Sequence, residues 1–202
     1  MTRALNVIFI DYNTLLLVNM AAGLAVLAGY VYWGLDDPDQ KRWAPAFAIS
    51  GLVALVFGGH LTVTWVLPGP YNAAFGEMSV LLGAIFLGAA LCFAKGWSPL
   101  LVAVYAFPAG IAAIVLGVRI LGLGLTGMPL LTAIGFVLSG LGGVFAAPTL
   151  AWLRGSRLFR ALAALALLGA ALDWAATAYL SYWMHMDLWQ PWLPVIRQTT
   201  GS

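Results

Sequence analysis

Charge is what this sequence has least of. Of 202 residues only nine are Lys or Arg and seven Asp or Glu, 8% in all, where a soluble domain carries about 25%. So few charges cannot cover a water-facing surface, and no basic patch for nucleic acid can be assembled from them. Cysteine is scarcer still. Cys92 stands alone, which excludes an internal disulfide and every cysteine-pair metal motif; within an apolar run it reads as a small packing residue. No nucleophile elbow, Walker loop or dinucleotide fingerprint occurs. The glycines of Gly122–Gly127 lie between apolar runs with no strand ahead of them, so they are not a phosphate loop.

What the chain has in excess is apolar sequence, 63% of it, with a mean hydropathy of +0.97. Runs near 20 residues recur, enough to cross a hydrocarbon core of about 30 Å. They predict an all-α integral membrane protein, one domain with short loops, crossing at about 13–33, 43–67, 77–93, 100–121, 128–152 and 158–184. The acidic and basic run Asp36–Arg42 separates the first two spans, and Pro68-Gly69-Pro70 makes a tight turn after the second. Ala4–Ile10 is too short for a signal peptide and is interrupted by Asp11. No soluble domain is expected outside the spans. The tail from Asp187 suits an interfacial segment, with Trp189 and Trp192 at headgroup level.

Lys and Arg set the orientation. Lys41, Arg42, Lys95, Arg154, Arg157 and Arg160 fall on one side, and Arg3, Arg197 and at most Arg119 on the other. Positive residues stay inside, so both termini are expected on the extracytoplasmic side of the cytoplasmic membrane. Trp33, Trp43, Trp97 and Trp152 mark the inner interface, and Tyr12, Trp65, Tyr71, Tyr182 and Trp183 the outer one. Gly135, Ser139 and Gly143, with the alanine-rich sixth span, read as close helix packing. Met78–Phe86 and Met128–Phe136 echo one another faintly, as though spans two–three and four–five were related hairpins.

Ionisable residues inside a membrane are costly and count as functional candidates. His60 falls about 10 Å below the outer end of span two, Glu77 opens span three, Arg119 closes span four, and Asp173 lies deep in span six. A carboxylate that deep must be paired or protonated, and Arg119 is the only deep base available. These four read as one outward-opening polar pocket that binds a metal ion or small polar ligand, or relays protons. Asp11, Asn13, Tyr71, Asn72, His185 and Asp187 lie at the same boundary as secondary candidates. Each has a plainer reading: Arg119 snorkels, Glu77 caps its helix, His60 meets a carbonyl or Thr64, and His185 and Asp187 are solvated tail residues. A divalent metal would take His60, Glu77 and Asp173, although no His-Glu-x-x-His spacing supports it. A haem held by His60 and His185 is disfavoured by their different depths.

The run His60-Leu-Thr-Val-Thr-Trp65-Val-Leu-Pro68-Gly-Pro-Tyr71-Asn72-Ala-Ala-Phe75-Gly76-Glu77 resembles the signature of a small bacterial and archaeal multipass family, a domain of unknown function. Lys95-Gly96-Trp97 and Tyr105-Ala106-Phe107 are similar to it as well, and the resemblance covers nearly the whole chain. It implies an integral membrane protein of a prokaryote and interest in His60 through Glu77, but no mechanism. Besides the bilayer, the partners left open are a second copy of the chain or other subunits of a membrane complex, in which it would be an anchoring subunit. An enzyme acting at the outer leaflet through Glu77 or Asp173, with His60 as partner, is the third reading.

Overall fold

Six helices carry the computed structural model, which describes residues 11–189. They are α1 (Tyr12–Tyr32), α2 (Ala44–Thr64), α3 (Met78–Lys95), α4 (Leu100–Leu123), α5 (Pro129–Pro148) and α6 (Arg157–Trp189). No strand occurs among the described residues, and all six helical runs are long and apolar enough to cross a membrane. The chain is therefore an all-helical protein of membrane-spanning composition. Ala4–Ile10, Arg3, Trp192 and Arg197 lie outside the described residues.

The helix ends follow local chemistry. Asp11 caps α1, its Oδ1 accepting from Thr14 N at 3.2 Å and Thr14 Oγ1 at 2.6 Å, as an N-terminal carboxylate should. Prolines stand in the first turns of α2 and α5, where their missing N–H costs nothing. Gly96 and Gly124 end α3 and α4 with φ of 70° and 62°, the left-handed cap that glycine adopts without strain. The second span ends at Thr64, earlier than its hydropathy suggests, because Trp65 turns left-handed at φ 51°. Asn72, 0% exposed, then ties the Pro68-Gly69-Pro70 turn: its Oδ1 accepts from Leu67 N at 2.9 Å and its Nδ2 donates to Leu67 O. A wide π-turn over Asn72–Glu77 leads straight into α3, so Glu77 does not begin that helix.

Packing sorts the helices into three antiparallel pairs, α2 with α3, α4 with α5, and α1 with α6. Two pairs are glycine seams. A Cβ on Gly51 of α2 would lie 3.0 Å from Gly83 O, and one on Gly58 would lie 3.0 Å from Gly76 O. In the other hairpin a Cβ on Gly140 would lie 2.6 Å from Gly110 O, and one on Gly117 would lie 3.0 Å from Ala133 O. Backbones this close are what small residues permit. Both seams place their small residues seven apart on each helix, so the two hairpins are built alike. The glycine register pairs Gly83 with Gly140, not with Ala133 as the Met78/Met128 echo implies.

The third pair differs. Alanines of α6, among them Ala164, Ala171 and Ala178, are buried in the core that includes Leu17, Met20 and Leu24 of α1. Trp174, 1% exposed, donates its indole N–H to Ser139 Oγ at 3.0 Å and joins Phe75 and Phe136 in that core. Two ends result. The terminal end holds the start of α1, the end of α6 and the two hairpin turns. The basic end holds the α1–α2 loop and the α3–α4 and α5–α6 links. Trp33, Trp97 and Trp152 are exposed at the basic end, and Trp65 and Trp183 at the terminal end. Trp43 instead packs against Tyr30.

Candidate functional site

The four residues first singled out are not brought together. Glu77 and Arg119 are exposed. Around Glu77 the buried face belongs to Phe75, Gly76 and Ser79, and around Arg119 to Gly117 and Ile120. Asp173 has one carboxylate oxygen, Oδ2, buried without a hydrogen-bond partner; it lies against Gly135 of α5, and Arg119 does not pair with it. The His60 ring meets Tyr12 edge-on at 4.9 Å, while Thr64 bonds the His60 carbonyl rather than the imidazole. Among the described residues no group of three His, Cys, Asp or Glu side chains is placed to hold a metal ion.

Some of the secondary candidates do assemble. Asp11 Oδ2 lies 2.8 Å from Nδ1 of His185, so His185 is a paired residue joining the first helix to the last. Tyr12 carries the contact on to His60. Asn13, next in sequence to Tyr12, has its Oδ1 buried and without a hydrogen-bond partner among the described residues. The Tyr71 hydroxyl accepts from Thr126 N at 3.1 Å, tying one hairpin turn to the other. Asn72 holds the turn described above, and Asp187 is exposed.

The densest polar network lies at the opposite end, among residues whose sequence signal is only that of loop charge. Arg160, 8% exposed, donates Nε to Val31 O at 3.0 Å and further N–H groups to Tyr32 O and Asp36. It therefore caps the carboxyl end of α1, where the backbone leaves carbonyls unsatisfied. Arg154 donates to Leu35 O at 3.2 Å and lies 3.6 Å from Asp36. Asp37 accepts from the Trp43 indole at 3.0 Å and pairs with Arg42 at 2.9 Å. Gln40 accepts from Tyr30 Oη and donates to Gly34 O and Asp37 O. The hydrogen bonds from Arg160 hold the Asp36 carboxyl below the usual carboxylate range. The Trp43 N–H does the same for Asp37, helped by the Asp39 N–H.

Above this network runs an apolar cavity of about 340 Å³, walled by all six helices. It exists because the α2–α3 and α4–α5 hairpins meet loosely and small side chains face the gap, such as Ala106, Ala109 and Ala113 of α4 and Ala163 and Ala166 of α6. Its wall on α6 runs from Phe159 to Trp174, about 22 Å at ~1.5 Å per residue. Tyr30, Leu35, Phe93, Pro99 and Leu150 line both this cavity and a polar vestibule of about 500 Å³ at the basic end. Asp36, Asp37, Gln40, Trp97, Ser98 and Arg154 are among the other residues lining the vestibule. An apolar chamber with a few convergent polar groups at one end is the usual form of a small-molecule site.

A family model described as "Protein of unknown function (DUF981)" matches residues 6–187. No curated protein and no solved structure matches the chain.

Proposed function

We propose that this chain, which belongs to the DUF981 family of proteins of unknown function, is a multipass membrane protein that holds the hydrocarbon chain of a membrane amphiphile. The chain lies along the apolar cavity and the head sits in the vestibule. The basic end faces the cytoplasm, where the concentration of Lys and Arg belongs. One observation carries the reading: the cavity and the vestibule share lining residues, so an apolar body and a polar head can occupy them together. The cavity volume falls within the range of about 300–1,000 Å³ usual for small-molecule sites. Its length of about 22 Å exceeds half of a ~30 Å bilayer core, so the molecule it suits is long and thin. Asp36, Asp37 and Gln40 shape the mouth and are already engaged with protein groups.

Photolabelling tests this. The protein in lipid nanodiscs is irradiated with hexadecanol carrying a terminal diazirine, and labelled peptides are mapped. Adducts are expected on the cavity walls of α4 and α6 and should be lost when Ala109→Phe and Ala166→Phe fill the space. Adducts spread over the exposed helix faces and unchanged by the bulky residues would overturn the reading. The cluster of Asp11, Tyr12, His60 and His185 would then be the better candidate, as a site for protons or a small polar ligand.

A further inference from the structure

We infer that the head of this amphiphile is anionic and is bound by Arg154, an inference that rests on the chain-binding reading above. The carboxylates of the vestibule are paired within the protein. Asp36 accepts from Arg160 and lies beside Arg154, and Asp37 takes the Trp43 indole, the Asp39 N–H and Arg42. Asp37 is only 10% exposed in its side chain, whereas Asp36 keeps 61%. The donors are in surplus. Arg154 is 57% exposed in its side chain and uses one terminal nitrogen on Leu35 O. Its Nε and Nη1 make no hydrogen bond among the described residues, and a guanidinium has five N–H groups to give.

Trp97 is exposed with its indole N–H likewise unengaged among the described residues. Ser98 Oγ accepts from Leu100 N and keeps its O–H to donate. Three arginines, Arg42, Arg154 and Arg160, pair with Asp36 and Asp37 in this network, and Arg154 is the one that lines the vestibule. Register fits as well. Leu150 lines both spaces, and Arg154 lies one turn further along the same helical run. A chain leaving the cavity past Leu150 therefore brings its head to the guanidinium, whose planar fork matches phosphate or carboxylate oxygens.

Competition against the diazirine probe tests the head separately from the chain. The competitors are hexadecanol, hexadecyl phosphate and hexadecyltrimethylammonium, which share one chain and differ in charge, together with inorganic phosphate. In the unaltered protein hexadecyl phosphate should displace the probe at about tenfold lower concentration than hexadecanol, equivalent to ~1.4 kcal/mol, with the cation weakest. Arg154→Gln should close that gap and Arg154→Lys should keep much of it, with both variants melting like the parent.

Equal displacement by all three chains, or a gap that survives Arg154→Gln, would overturn the anionic head and leave chain binding intact. Absence of cavity labelling from the outset would remove both readings. Inorganic phosphate should displace nothing, since it lacks the chain. Displacement by it would identify a soluble anion as the ligand and overturn the amphiphile.

Discussion

Arg160 shows how one buried charge organises an end of this molecule. Its guanidinium replaces water for the last carbonyls of α1 while neutralising Asp36. A buried charge is tolerable only when paired and hydrogen-bonded, and here both conditions are met. Acid should undo part of this. Asp36 and Asp37 have folded-state pKa values below the ~3.9 of an unfolded aspartate, so each contributes stability that is fully present above that value. The contribution is lost as pH falls through the lowered folded values. Thermal melting in detergent should therefore be insensitive to these two groups from pH 8 to about 5. It should drop below about pH 4, and the Asp36→Asn, Asp37→Asn variant should show a smaller acid drop. An equal drop in the variant would place the acid sensitivity elsewhere.

Among the elements, the two glycine seams make the sharpest claim. Gly51 and Gly110 occupy matching places in the α2–α3 and α4–α5 hairpins, each against the backbone of its partner helix. A β-branched side chain at either position must push two helices apart. Gly51→Val and Gly110→Val should each lower stability by at least the ~1–3 kcal/mol of an overpacked core. Gly122→Val, where no atom lies within 4 Å of an added Cβ, should cost far less. Melting temperatures of the three variants decide it. If Gly110→Val melts like Gly122→Val, that seam is looser than its geometry implies. This pairing was only half legible in sequence. Small-residue spacing announced close packing, but Gly135 and Ser139 turn toward α6 while Gly140 and Gly143 turn toward α4. No spacing rule distinguishes those two directions.

For the molecule as a whole, the asymmetry of charge becomes a statement about sides. The lone Cys92 makes it accessible to experiment. In a Cys92→Ala background, Gly127→Cys marks the terminal end and Ser98→Cys the basic end. A membrane-impermeant maleimide applied to intact cells should label the first and not the second. The reverse pattern would invert the orientation and put the vestibule outside. The cavity also belongs to this scale, since all six helices build it and no segment of sequence contains it.

Six helices long and apolar enough to cross a membrane, and the concentration of positive charge at one end, were determined by sequence alone, because a bilayer as solvent demands about 20 apolar residues per crossing and helical closure of every backbone group. Boundaries missed by a few residues where local structure intervened, at the left-handed backbone of Trp65 and the turn tied by the Asn72 side chain. Rotation about each helix axis was decided only by the tertiary structure. Hydropathy measures depth along the membrane normal, and helices apolar on every face carry almost no signal of which face turns inward. For that reason His60, Glu77, Arg119 and Asp173 read as one pocket in sequence without being brought together in the fold. Asp11 and His185, 174 residues apart, meet instead, as do Asp36 and Arg160. The space between two well-packed hairpins is the feature most dependent on the complete fold.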